Sequence, residues 1–419
     1  MKKVLSVLLE TATAVSVCCG LAACGEDTSK TILVWAPSAA VNCYKQLANE
    51  WKAANPEYKD WTVKFEAQEE DVVQDKLGQK PSTKAHIFFF PSDHINAMLK
   101  KNALQPLTDD YRAIVEERDE ASVVNDAIRE NKLYAFPATY DNGYMLYYDK
   151  TFYTNETDVQ SLDTLQSKAK AQNKNILFNW GSGYYASSMF WAAGCEFGYT
   201  DDSLTTYQTN VDGEAGQAAA LACYNYFNPS VNGSGTSQTI IDGDVNTDIG
   251  TGFADRSMVA AIGGSWAYAD IKTKMELAGR DMSEIGITTL PTFKLNGSDT
   301  HMYSFIGYKY CGVNGQKTDA QIVASLSLAS YFTGEEGQEA RFDATNAGPS
   351  NKKVAALPKV QSNDILRAFT AQTQWGVAQK DHPSAFWSPN IISDISNGTI
   401  TQAGLVEAVE TWAKELRKG

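Results

Sequence analysis

Ala85-His-Ile-Phe-Phe-Phe90, followed by Pro91-Ser-Asp93 and then by Ile95–Lys101, carries the strongest fold signal in this chain. The first six residues form a nearly continuous apolar run. A half-exposed strand alternates apolar with polar residues, so an unbroken run fits a strand covered on both faces. Pro91-Ser-Asp93 turns the chain, and the spacing beyond it predicts a helix over Ile95–Lys101. A doubly covered strand that runs at once into a helix is the unit of layered α/β folds.

The same alternation continues in both directions. Upstream, Thr31-Ile-Leu-Val-Trp35 reads as a buried strand and Trp61–Phe65 as an alternating one. Between them Val41–Ala53 places Tyr44, Leu47 and Trp51 at helical spacing. Downstream, Leu133 to Tyr148 reads as two strands joined through Ala138–Asn142, a first crossing between lobes. Ile176-Leu-Phe-Asn179 reads as a short strand, Trp180-Gly-Ser-Gly-Tyr-Tyr185 as a loop, and Ser187–Gly194 and Gly216–Phe227 as helices. Met258–Ile262 is a buried strand with Gly263-Gly-Ser265 as its turn, and Ile285–Leu290 is another strand. Phe305–Tyr310 reads as the return crossing. Helices are expected over Thr318–Thr333, Glu335–Asp343 and Ile400–Arg417, and a surface loop over Asn228–Thr239.

Met1-Lys2-Lys3 followed by a small, apolar stretch to Val17 has the form of an export signal. It ends in Leu21-Ala22-Ala23-Cys24, which predicts cleavage before Cys24 and lipidation of its thiol; Glu26–Lys30 then reads as a tether. Two acyl chains anchor a protein stably to a membrane surface. About 390 residues follow, more than one core usually holds, so two domains are expected. The net charge of −14 disfavours a nucleic-acid partner. Of the seven cysteines, Cys43, Cys195, Cys223 and Cys311 remain after the lipidated position and the signal are set aside. They lack zinc-ligand spacing, and either disulfides or buried thiols fit them.

The segment Phe253-Ala-Asp-Arg-Ser-Met-Val-Ala-Ala-Ile-Gly-Gly-Ser-Trp266, with Thr289-Leu-Pro-Thr-Phe293, Phe136-Pro-Ala-Thr-Tyr-Asp141 and Ser384-Ala-Phe-Trp387 in order around it, resembles the extracellular solute-binding proteins of carbohydrate ABC importers, the maltose/maltodextrin-binding type. The resemblance covers nearly the whole chain beyond the signal. It implies a two-lobed α/β fold, the type II periplasmic-binding-protein or Venus-flytrap form, with a hinge of about three crossings and a ligand cleft between the lobes. One lobe would take residues 31–139 and 306–357, the other 142–304 and 358–419. It places Trp266 and Trp387 as sugar-stacking rings, Tyr184 and Tyr185 at the cleft floor, Phe90 as an aromatic facing the ligand from the other lobe, Asp93 gripping hydroxyls and Asp141 as a hinge carboxylate. Ser182 stands where an acidic residue is usual and His94 where an arginine is. The loop after Trp35 lacks the Asp and Lys that hold a terminal sugar.

The implied function is capture of an oligosaccharide, malto-oligosaccharide first, and its delivery to permease subunits by a monomer anchored on the outer face of the membrane, with no catalysis and no cofactor. A pyranose offers an apolar face to an aromatic ring, and its hydroxyls pair with carboxylates. The rings then set affinity and the polar groups set specificity. The alternatives are another oligosaccharide on the same fold, a glycosidase with paired carboxylates, and a structural surface lipoprotein. Gly263-Gly-Ser-Trp-Ala267 lacks the last glycine of a hydrolase elbow. Asp242–Phe253 lacks the glycine and bidentate glutamate of a calcium loop. The run Glu116–Glu120 reads as a solvated helix face.

Overall fold

The computed structural model describes residues 28–233, 238–243 and 248–418. The export signal with Cys24, and Asp244, Asn246 and Thr247 of the calcium-like loop, lie outside the described residues. No helix of the described residues is long and apolar enough to cross a membrane.

Among the described residues, eleven strands build the two main sheets. In chain order they are β1 (Thr31–Ala36), β2 (Thr62–Ala67), β3 (Ile87–Pro91), β4 (Phe136–Asn142), β5 (Tyr144–Asp149), β6 (Asn175–Leu177), β7 (Ile240–Ile241), β8 (Met258–Gly264), β9 (Ile285–Thr288), β10 (Ser304–Val313) and β11 (Gly376–Ala378). The first sheet has the order β11-β10-β3-β1-β2, with β4 also on β10. Its β1, β2 and β3 are parallel, and β10 runs against β3 and β4. The second has the order β7-β6-β8-β5-β9.

Each sheet has its own core. Phe88, Phe89 and Phe90 are fully buried and pack with Tyr310, Leu328 and Phe332 in the first. This accounts for the unbroken apolar run, since helices cover both faces of β3. The second core gathers Tyr144, Trp180, Phe190, Ile262, Phe305 and Trp412, and all seven residues of β8 are buried. The outcome is the two-lobed α/β fold expected from the sequence.

Three segments connect the cores. At the first, β4 runs into β5 across Gly143, where a Cβ would lie 2.2 Å from the Phe305 carbonyl oxygen. The second is β10, whose Ser304–Ile306 pairs with β11 while Lys309–Val313 pairs with β3. The third runs past Gly348, whose N–H donates to the Asp141 carboxylate at 2.8 Å.

Several expectations change. Asp119, assigned to a solvated face, is fully buried. Arg118 Nε donates to it at 2.9 Å, and Gln338 Nε2 and Ser350 Oγ donate to its other oxygen, each at 2.9 Å. The acidic run thus includes a carboxylate that ties the third connection down. The last α-helix spans Leu405–Leu416, behind a short 3-10 turn at Gln402–Gly404. The helix expected from Thr318 begins there with a capping box between Thr318 and Gln321. Cys43, Cys195, Cys223 and Cys311 are free thiols, which decides between the two readings of the cysteines.

Candidate ligand-binding cleft

The site starts from a helix that begins earlier than its sequence suggests. It spans Gly183–Ala192, and the Ser182 hydroxyl accepts a hydrogen bond from the Tyr184 N–H at 3.3 Å. A serine N-cap satisfies one of the orphan donors of the first turn, which is why the Gly- and Tyr-rich stretch becomes helical rather than a loop. Gly183 is needed at this point. A Cβ there would lie 1.7 Å from the Phe386 carbonyl oxygen, so the helix start abuts the short helix Ser384–Trp387.

Around this contact the aromatic rings form a continuous wall. Trp266 lies 6.2 Å from Tyr184, and Tyr184 stacks on Phe305 at 4.9 Å. Phe305 lies 5.9 Å from Trp387, and Trp387 lies 5.3 Å from His382. Each such pair contributes about 0.5–1.5 kcal/mol beyond burial, so the wall is a rigid platform. Trp266 is partly exposed and folds back on the end of β8: a Cβ on Gly264 would meet its ring at 2.2 Å. The Trp387 indole is fixed by donating to the His382 carbonyl at 3.1 Å.

Beside the wall lies a cavity of about 350 Å³, lined by Asp71, Asp75, Asp93, His94, Asp381, His382 and Trp387 among others. Its polar groups come from both sides. Gln379 Nε2 donates to Asp93 Oδ1 at 2.8 Å, and Asn96 Nδ2 donates to Asp381 Oδ2 at 2.9 Å. Burial pushes the Asp93 carboxyl up to about 7, against the hydrogen bond from Gln379. Asp381 also rises to about 7, by burial and then by the charge of Asp93. Burial holds His94 down to about 4 and His382 down to about 3, so both rings are neutral at neutral pH.

Lys309, from the middle of β10, has its ammonium 5.5 Å above the Trp266 ring, a cation–π contact between the two sides of the cleft. The same ammonium pairs with Glu70 at 2.6 Å, and Arg341 holds the other Glu70 oxygen at 2.7 Å. Burial alone would raise Glu70, but Lys309 and Arg341 outweigh it and bring the carboxyl down to about 2.

The structure brings four of the seven expected residues together. Trp387 and Asp93 line the cavity, and Trp266 and Tyr184 continue its aromatic wall. Phe90 is corrected. Its side chain is fully buried in the first core, between Phe88 and Tyr310, each with ring centroids 5.9 Å away, so it offers no face to a ligand. Tyr185 lies in the second core, 4.8 Å from Tyr144, and is only 5% exposed. Asp141 is buried and accepts the Gly348 N–H, a bond between two of the segments that connect the cores. Sequence reasoning missed Lys309, Glu70, Asp381, Gln379 and Asn96. The signal for Asp381 was its position just before Ser384-Ala-Phe-Trp387. For Lys309 it was a lone cation inside an otherwise apolar return strand.

Related proteins share this architecture. A galactooligosaccharide-binding protein of Bacillus subtilis (strain 168) is 23% identical over 423 residues, which cover 95% of this chain and 94% of that protein. A protein solved with acarbose superposes with a TM-score of 0.81 at 23% identity, over 93% of this chain and 99% of the other. The maltodextrin-binding protein of L. casei BL23, solved without ligand, gives a TM-score of 0.75 at 21% identity over 93% and 100%. The family described as "Bacterial extracellular solute-binding protein" matches residues 46–368, a span that holds the whole second sheet with Tyr184, Trp266 and Phe305, and leaves β1, β11 and Trp387 outside it. With two lobes, a hinge of three connections and an aromatic cleft between them, the chain belongs to the bacterial extracellular solute-binding protein family.

Proposed function

We propose that this protein captures an oligosaccharide, most favourably a malto-oligosaccharide, between its lobes and hands it to the permease of an ABC importer. The observation that carries this reading is the set of part-exposed rings Trp266, Tyr184 and Trp387, backed by the buried Phe305, beside the buried Asp93. Aromatic faces take the apolar side of a pyranose, and a carboxylate accepts from its hydroxyls. The similar proteins solved with acarbose or named for maltodextrin support an α-glucan. In this reading the lobes are residues 31–139 with 306–357 and 142–304 with 358–419, in line with the two separate cores. Lipidation of Cys24 would hold the monomer at the outer face of the membrane. The sugar acts by binding the closed form better than the open one.

A second reading is a galacto-oligosaccharide. It is favoured by the name of the B. subtilis relative and by the absence of the Asp and Lys after Trp35. A thermal-shift panel separates the two. A sugar at about 100 times its dissociation constant adds about 2.7 kcal/mol of stability. A raised midpoint with maltotriose and longer α-glucans, but not with galacto-, cello- or xylo-oligosaccharides, is the expected result. A response to galacto-oligosaccharides alone replaces the ligand and keeps the role. No response to any of them removes the carbohydrate reading. Reducing ends released from maltotriose on incubation would make the protein a hydrolase instead.

A further inference from the structure

Trp266 has two faces, and one of them is already covered by its own backbone. An added Cβ on Gly264 would lie 2.2 Å from the Trp266 Cη2 and Cζ3 and 2.5 Å from its Cε3. An atom that close to three successive ring carbons lies over the ring, not at its edge, so Gly264 takes one face. Over the ring stands the Lys309 ammonium, 5.5 Å from the centroid, which leaves it the other face. That second face is the one a pyranose would need for stacking.

The ammonium is held in place from behind. Glu70 Oε2 pairs with Lys309 Nζ at 2.6 Å, and Glu70 Oε1 pairs with Arg341 at 2.7 Å. Arg341 Nη1 donates to the Tyr44 hydroxyl at 3.2 Å, and the Tyr44 ring stacks on Phe89 at 4.6 Å. Lys309 itself lies where β10 pairs with β3, opposite Pro91. Tyr44 and Phe89 belong to the first core, whereas Trp266 packs against the second. A cation anchored in one core is thus laid on the ring carried by the other. We propose that Lys309 is an affinity-setting residue of the cleft: its ammonium occupies the open face of Trp266, and a ligand that stacks there has to displace it.

The competition follows from the chemistry of the ring. An indole face attracts a cation through its quadrupole, and the attraction grows as water is excluded. The C–H face of a sugar uses the same surface. The Lys309 side chain keeps 15% of its exposure and ends a flexible stem with three donors, so it can leave the ring while one donor stays on Glu70. A ligand that reaches Trp266 meets this competition in full. A ligand held by Trp387 and Asp93 alone does not meet it. Lys309 therefore sorts ligands by whether they stack on Trp266. The inference rests on the reading of Trp266 as a ligand platform.

Two measurements test it, the first without any sugar. Acrylamide quenching of the ligand-free protein, with the signal of Trp266→Phe subtracted, reports access to this one ring. Lys309→Ala is expected to raise the quenching constant of the Trp266 component. Lys309→Arg keeps the charge and the pair with Glu70 and lays a planar group on the ring, so it is expected to lower that constant. In calorimetric titration with maltotriose, Lys309→Ala is expected to bind about three- to tenfold tighter, the size of one cation–π contact. Lys309→Arg is expected to bind more weakly. The gain should vanish when Lys309→Ala is combined with Trp266→Ala. Thermal unfolding establishes that each variant is folded, and Lys309→Arg alone decides the matter where Lys309→Ala loses its fold. A quenching constant that neither variant moves overturns the proposal. So does weaker maltotriose binding by Lys309→Ala, which would make the ammonium a ligand contact, and so does a gain that survives the loss of Trp266. Where the wild type binds no maltotriose, the α-glucan reading falls by itself, and the quenching comparison still decides whether the ammonium covers the ring.

Discussion

Gly183 and Phe386 meet so closely that a methyl group on the glycine would overlap the Phe386 carbonyl at 1.7 Å. This one contact joins the helix that carries Tyr184 to the helix that carries Trp387. Gly183→Ala should therefore push the two helices apart, at a cost of about 1–3 kcal/mol in stability. It should weaken sugar binding as well, although neither residue touches the sugar. Thermal unfolding and titration calorimetry on the same variant check both effects. A normal midpoint with normal affinity would mean that the helices do not need this contact.

Trp266 stands partly in the open, held back by Gly264 and capped by Lys309. Trp266→Ala should lose on the order of tenfold or more in affinity, since a stacking ring contributes about 1 kcal/mol beyond its buried area. The midpoint should move little. Gly264→Ala should mimic it by displacing the ring. Intrinsic fluorescence titration with the sugar found in the panel measures both.

Glu70 provides a pH test of the ion-paired network. Its carboxyl is lowered from 4.5 to about 2. Stability from a lowered carboxylate is present above the unfolded value and lost as pH falls through the folded one. The wild type should lose about 3 kcal/mol between about pH 4.5 and pH 2 from this group. Glu70→Gln should lack that part of the acid slope. At neutral pH it should cost about 3–5 kcal/mol, because Arg341 and Lys309 are left without their partner. Denaturant unfolding across pH, fitted for both proteins, reads the difference.

Phe90 separates a core residue from a cleft residue. Phe90→Leu should lower stability by about 1–2 kcal/mol and leave affinity per folded molecule unchanged. A selective loss of affinity would return Phe90 to the cleft.

The layered fold was readable because β3 and β8 are apolar along their whole length, and only a strand covered on both faces tolerates that. The position of Trp266 just past the end of a buried strand was readable, although Gly263 and Gly264, expected as its turn, are the last residues of β8. Phe90 misled because its apolar run ends at the cleft in sequence while its side chain turns into the core. Alternation along a strand decides which way a ring points, and an unbroken run hides the alternation. Lys309 and Glu70 were not readable as a pair, since their ion pair joins residues far apart in the chain. Asp119 looked solvated because its neighbours are charged, and its partners Gln338 and Ser350 lie in another part of the chain.

One strand, β10, pairs with β11 near Ser304 and with β3 near Val313, and it presents Phe305 to the ring wall and Lys309 to Trp266. Phe305 and Lys309 therefore hang from one hydrogen-bonded ribbon that belongs to both cores. Any change in the twist of that ribbon between Ser304 and Val313 changes the placing of the Lys309 ammonium over Trp266 and of Phe305 against Trp387 together.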